Sequence, residues 1–110
     1  MIKKLNWQQL PGSIHMYAEG LFARYTVYKY RLDNTVCYDA DFSEGDLTVC
    51  LYDEGHSFMD AQAACQAHYE QEVRLLLRQH LDLSKAEKRA GYKTIKIRAN
   101  MARKLLKAIQ

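Results

Sequence analysis

Cys65 and His68 stand three residues apart in a segment of helical period, a spacing that sets a thiol and an imidazole on one helix face. Such a pair can begin a metal site, with His56 or His80 as further ligands, or act as nucleophile and base. Neither chemistry is completed. Structural zinc takes two closely spaced ligand pairs, and no second pair exists. His80 lies about a third of a turn round the helix from His68. Cys65 falls on an apolar stripe, where burial disfavours a thiolate. No Gly-rich phosphate loop, Ser elbow or His-Glu-x-x-His run occurs. These residues predict no enzyme, no metal and no cofactor, with Cys65 in the core and His68 half-exposed.

Three other groups carry charge or aromatic surface. Asp39, Asp41, Glu44 and Asp46 form an acidic run whose spacing does not match an EF-hand, so a solvated loop is expected. Tyr28 and Tyr30 alternate with Lys29 and Arg31, and tyrosines beside cations can stack bases. Strand alternation puts those two cations on the opposite face, so a sheet with tyrosine against a helix is the simpler expectation. The third group is basic: Lys93, Lys96, Arg98, Arg103, Lys104 and Lys107. Read as helix-turn-helix with Gly91 in the turn, it would aim cations at DNA. The fit is poor. Glu87 sits where a small packed residue is usual, and Ile95 and Ile97 alternate as in a strand.

The elements that must position these residues are legible from period and punctuation. Leu10-Pro11-Gly12-Ser13 marks a turn, Ile14 to Ala18 alternates, and Glu19-Gly20 breaks the alternation as a hairpin does. Leu21 to Leu32 is the clearest strand, with Tyr25 and Val27 on one face and Tyr28 and Tyr30 on the other. Asp33-Asn34-Thr35 is a turn. A short strand at Val36 to Tyr38, the acidic loop to Asp46 and a strand at Leu47 to Tyr52 follow. Ser57 to about Leu81 then reads as one long helix, capped by Ser57 with Asp60 in its first turn. Its stripe of Ala61, Cys65, Tyr69, Val73, Leu76, Leu77 and Leu81 is expected to lie on the sheet. Ser84 and Glu87 form a capping box for a short basic helix that Gly91 ends. Tyr92 to Arg98 reads as strand or as an irregular lead, and Asn100 as the cap of a last helix, Met101 to Ile109. In that helix Met101, Leu105 and Ile109 face inward, and Arg103, Lys104 and Lys107, with Arg98 before it, face water. The fold class is α+β: an antiparallel sheet of three to five strands packed on one long helix, followed by a short basic helical segment.

The chain has 110 residues, with 48% apolar and 26% charged, the composition of one globular domain. Its net charge of +3 hides a division. Residues 1–83 hold seven Lys and Arg against twelve Asp and Glu, a net of −5. Residues 84–110 hold nine against Glu87 alone, a net of +8. An acidic β-then-α body, 1–83, thus continues into a basic helical segment, 84–110, within one domain. Such an end attracts nucleic acid, anionic lipid or acidic protein. No apolar run can span a bilayer, and the charged start without an apolar stretch predicts no secretory signal. Cys37, Cys50 and Cys65 are odd in number, so no disulfide framework and a reducing cytoplasm are expected.

Asn6-Trp7, the strand from Phe22 to Tyr28 and the helix from Ser57 to Glu70 together resemble a widespread group of small phage and prophage proteins. That group has an early Trp, a G-x-Y-x-V-type strand and an S-x-x-x-A-x-A-A-C-Q-A-x-Y-E helix. Here Gly20 is displaced toward the hairpin, and the likeness spans roughly residues 6–80. It implies a phage origin and a β-then-α fold, and no activity. Ala61, Ala63, Ala64 and Ala67 would let such a helix sit close to a sheet. The expectation is a non-catalytic accessory protein in the bacterial host cytoplasm that binds and inhibits a host protein or ribonucleoprotein complex, such as a CRISPR effector. Asp39 to Glu54 would then mimic phosphates toward an Arg/Lys channel. The alternative is a nucleic-acid-binding protein acting through residues 84–110.

Overall fold

The structure, a computed structural model, describes residues 1–86 and 92–109, with side chains described for 1–83 and 98–109. Five strands and two helices follow in order: β1 (Gln8–Gln9), β2 (Met16–Glu19), β3 (Arg24–Leu32), β4 (Thr35–Glu44), β5 (Leu47–Gly55), α1 (Phe58–Ala86) and α2 (Tyr92–Ala108). The strands form one antiparallel sheet in sequence order, an α+β fold built by successive hairpins.

Local chemistry sets each hairpin. Asp33 and Asn34 both take positive φ, 51° and 64°, the pair that a type I′ turn needs between Leu32 and its partner Thr35. Gly45 supplies a φ of 58° at the first position of the two-residue turn between Glu44 and Leu47. At the β2–β3 turn the constraint is space. A Cβ on Gly20 would stand 2.6 Å from the Tyr25 ring and 2.9 Å from the Ala23 carbonyl oxygen. Only glycine lets the chain turn so close to a buried ring.

The chain divides into two compact units. One is residues 4–69, and the other joins residues 1–3 to 70–110. The division falls inside α1. In the first unit, Ala18, Ala40, Ala61 and Cys65 are fully buried, and their small side chains let the start of α1 lie close to β2–β4. Tyr25 is the large member of this core, with its ring edge-on to Tyr69 at 6.4 Å and to His68 at 5.6 Å. Ser57 caps α1 as its type predicts, its Oγ accepting from the Asp60 N–H at 3.1 Å. In the second unit, Val73, Leu76, Leu105 and Ala108 are buried. There the Lys3 N–H donates to the Ala108 carbonyl at 2.7 Å, and Ile2 pairs with Ile109. The chain's start thus satisfies a carbonyl that the end of α2 would leave open.

Several expectations need correction. Asp39 to Glu44 is strand, not loop: Tyr38, Ala40 and Phe42 alternate with Asp39, Asp41 and Ser43, and β4 pairs on both sides. Strands begin and end later than expected at Met16, Arg24 and Gly55, and β1 was not foreseen. Ser84 continues α1 rather than capping a new helix, while Glu87 and Gly91 lie outside the described residues. Residues 92–98 are helical and Asn100 is interior to α2, because Ile97 extends the four-residue spacing of Met101, Leu105 and Ile109. Leu77 and Leu81 are exposed, and of the four alanines only Ala61 is fully buried, with Ala63 and Ala67 exposed.

Candidate functional site

One face of the sheet carries the start of α1; on the other, Thr26 and Cys37 are buried, Tyr30, Asp39 and Asp41 are half-buried and Tyr28 is exposed. Register decides which residues share this second face. Across β3 and β4, Tyr28 stands opposite Asp39 and Thr26 opposite Asp41, while Lys29 opposes Tyr38 on the helix side. Lys29 and Arg31 therefore share the helix-bearing face, and Tyr28 and Tyr30 lie on the other, not against the helix as expected, because Tyr25 and Val27 are the residues of β3 that pack toward α1. The tyrosines are interleaved with carboxylates.

Asp39 is held at the centre. Its Oδ1 accepts from the Tyr30 hydroxyl at 2.8 Å and from the Glu54 N–H at 2.8 Å. Glu54 takes a φ of 49° where β5 slips register against β4. Partial burial, the bond to Asp39 and that carboxylate's charge push the Tyr30 hydroxyl well up, so it stays a donor. Asp41 pairs with Cys50 on β5. Burial raises the Asp41 carboxyl and the charge of Asp39 adds to it, against a hydrogen bond from Cys50 that lowers it. Burial likewise raises the Cys50 thiol, and the nearby carboxylates of Asp41, Asp53 and Asp39 raise it further. Cys50 is thus exposed without being an activated nucleophile.

Tyr28 is 36% exposed and meets the His15 ring edge-on at 5.1 Å. Arg24 shares this face, but its guanidinium is engaged: it pairs with Glu19 at 2.7 Å and lies 4.6 Å over the Tyr17 ring. Of the expected acidic group, Asp39 and Asp41 share this face, whereas Glu44 and Asp46 stand at the β4–β5 turn. His15 and Tyr17 were not singled out in the sequence, and Cys50 was read only as one of three free thiols. Period two alone does not reveal them, because cross-strand register decides which residues meet.

The basic candidates lie on α2. Arg103, Lys104 and Lys107 are exposed, and Arg103 bonds the Asn100 side chain. Arg98 is not wholly on the wet side: it is half-buried, with its Nε shut off from solvent. Lys93 and Lys96 lie on α2, and their side chains are outside the described residues. Leu105 is buried and Met101 half-buried, as the stripe predicts.

Cys65 and His68 do not converge on a common centre. Cys65 is fully buried, and burial pushes its thiol up to about 12. His68 hydrogen-bonds the Tyr25 hydroxyl through Nδ1 at 2.7 Å and stacks on Phe42 at 4.3 Å. His56 stands by the Val36 carbonyl at 3.3 Å. Among the described residues no group of three or more His, Cys, Asp or Glu is placed to hold a metal. No helix among them is long and apolar enough to cross a membrane. No protein-family model, curated protein or solved structure matches the chain.

Proposed function

We propose that this chain is a non-catalytic binding protein whose Tyr28–Tyr30–Asp39–Asp41 face engages a cationic surface of a host protein or ribonucleoprotein complex. The observation that carries this reading is the pairing of Tyr28 with Asp39 on the face away from α1, with Asp41 beside them. Tyrosine rings and carboxylates together suit a guanidinium, which stacks on the ring and donates to the oxygens. The same carboxylates repel phosphate, which weighs against nucleic acid at this face. With the resemblance to phage proteins, the concrete form is an inhibitor that fills an Arg/Lys channel of a defence complex such as a CRISPR effector.

Pull-down from bacterial lysate tests it. The wild-type chain is expected to recover a host complex, and the Asp39→Asn/Asp41→Asn variant to recover far less. Recovery of no host protein, alongside DNA or RNA binding, would overturn it.

A second reading is favoured by the exposed Arg103, Lys104 and Lys107 on α2: nucleic-acid binding through residues 84–110. Heparin and DNA retention at two salt concentrations decides it. Phosphate contacts require a steep loss with salt, with a slope of about −0.9 per phosphate on duplex DNA. Flat, negligible retention removes this reading.

A further inference from the structure

β5 ends the sheet, so one side of it pairs with β4 and the other has no partner strand among the described residues. The two-residue turn makes Glu44 and Leu47 the hydrogen-bonded closing pair. Hydrogen-bonded and open pairs alternate along an antiparallel ladder, so Phe42–Val49 is bonded and Thr48 and Cys50 turn their N–H and C=O groups outward. Register is regular from Leu47 to Cys50, and the slips come only beyond it.

Sheet edges are commonly blunted by Lys, by Pro or by a covering element. β5 contains neither Lys nor Pro. Leu47 and Val49, on one side of the edge, are 56% and 37% exposed. No Lys or Arg occurs between Arg31 and Arg74, a stretch that holds ten Asp and Glu. Asp46 precedes the open edge and Asp53 follows it.

We propose that the Leu47–Cys50 edge of β5 is a docking site for an extended, Lys- or Arg-bearing polypeptide segment, which adds to the sheet as a sixth strand. This rests on the reading above that the partner is cationic, and it names the partner's form. Charge selects the occupant. A second copy pairing edge to edge would bring Asp46 and Asp53 of one chain against those of the other, and facing like charges destabilise a strand pair. A basic strand meets the same carboxylates with opposite charge. The chain's own basic residues on α2 are excluded, because their backbone is already paired within the helix. Main-chain bonds to Thr48 and Cys50 would supply affinity, and flanking cations the choice of partner.

The test uses the full chain, labelled for amide NMR, and a short peptide of alternating lysine and threonine. Amide exchange at Thr48 and Cys50 is expected to slow when the peptide binds. The same peptide N-methylated throughout keeps its charge and loses its donors, and should bind at least about tenfold more weakly. A glutamate-for-lysine peptide should not bind. All variation is in the peptide, so the fold of the chain is not at risk. Equal binding of the N-methylated peptide would mean charge attraction alone and would overturn the proposal. So would no binding of the lysine peptide, or protection of Thr48 and Cys50 by self-association without peptide. A failure here with host recovery still lost in Asp39→Asn/Asp41→Asn sinks the edge and leaves the sheet face standing.

Discussion

Cys50, Cys37 and Cys65 share a side-chain type and differ in what surrounds them, which fixes their order of reaction. Cys50 is exposed, while Cys37 and Cys65 are buried. In the native chain, alkylation followed by mass spectrometry should modify Cys50 first. Cys65, fully buried with its thiol near 12, should react only as fast as the chain opens, accelerating with urea. Modification of Cys65 at the rate of Cys50 in native buffer would show that α1 is not docked. Asp41 gives a pH prediction of definite sign. Its folded-state value is raised, so the ionised form costs stability wherever Asp41 is charged. That cost is fully present above the raised value. It is relieved as pH falls through that value toward the ordinary carboxylate range, about 3.9. Asp41→Asn should therefore match or exceed the wild type in urea midpoint at pH 7. The gap should narrow as pH is lowered. A lower midpoint at pH 7 would mean that the bond from Cys50 outweighs the desolvation.

At the level of elements, the start of α1 is the most explicit link from sequence to structure. Ser57 Oγ accepts the Asp60 N–H, one of the donors that no helical carbonyl can reach. Ser57→Ala should cost about 1 kcal/mol in urea denaturation, with an unchanged slope. Ser57→Asp should recover most of it. This cap, the Asp33-Asn34 turn and the buried Ala61, Cys65 and Tyr69 were legible because each depends on residues close in sequence. The strand character of Asp39 to Glu44 was not. Carboxylates lower strand propensity, and only pairing with β3 and β5 outweighs that. The site was hidden for a related reason. Tyr28 and Tyr30 could be placed on one face from alternation, but their meeting with Asp39 depends on the Asp33-Asn34 turn having two residues. One residue more would have changed the register and turned β4's side chains to the opposite faces. Leu77 was misplaced because the buried face is narrower than the apolar stripe: Val73 and Leu76 are buried, while Leu77, one residue on, is exposed, as is Leu81.

Over the whole molecule, the balance of charge changes sign along the chain. Twelve of the thirteen Asp and Glu precede Ser84, and Arg103, Lys104 and Lys107 are exposed on a helix late in the chain. Screening limits what such exposed charges add to folding, since the Debye length is about 8 Å at physiological salt. Their separation by sign must therefore be judged by binding. Changing Arg103, Lys104 and Lys107 together to Glu should leave the melting transition near its original position, because each exposed charge contributes only about 0–1 kcal/mol. Leu105 and Ala108, which bury the same helix, are untouched. Three positive charges become negative, so heparin retention should vanish whichever surface meets the partner. Host-complex recovery is the deciding readout. If the Tyr–Asp face and the β5 edge make the contact, recovery persists in the triple variant and is lost in Asp39→Asn/Asp41→Asn. If α2 makes it, the two variants exchange behaviour, and the cationic-partner reading fails along with the sixth strand proposed from it.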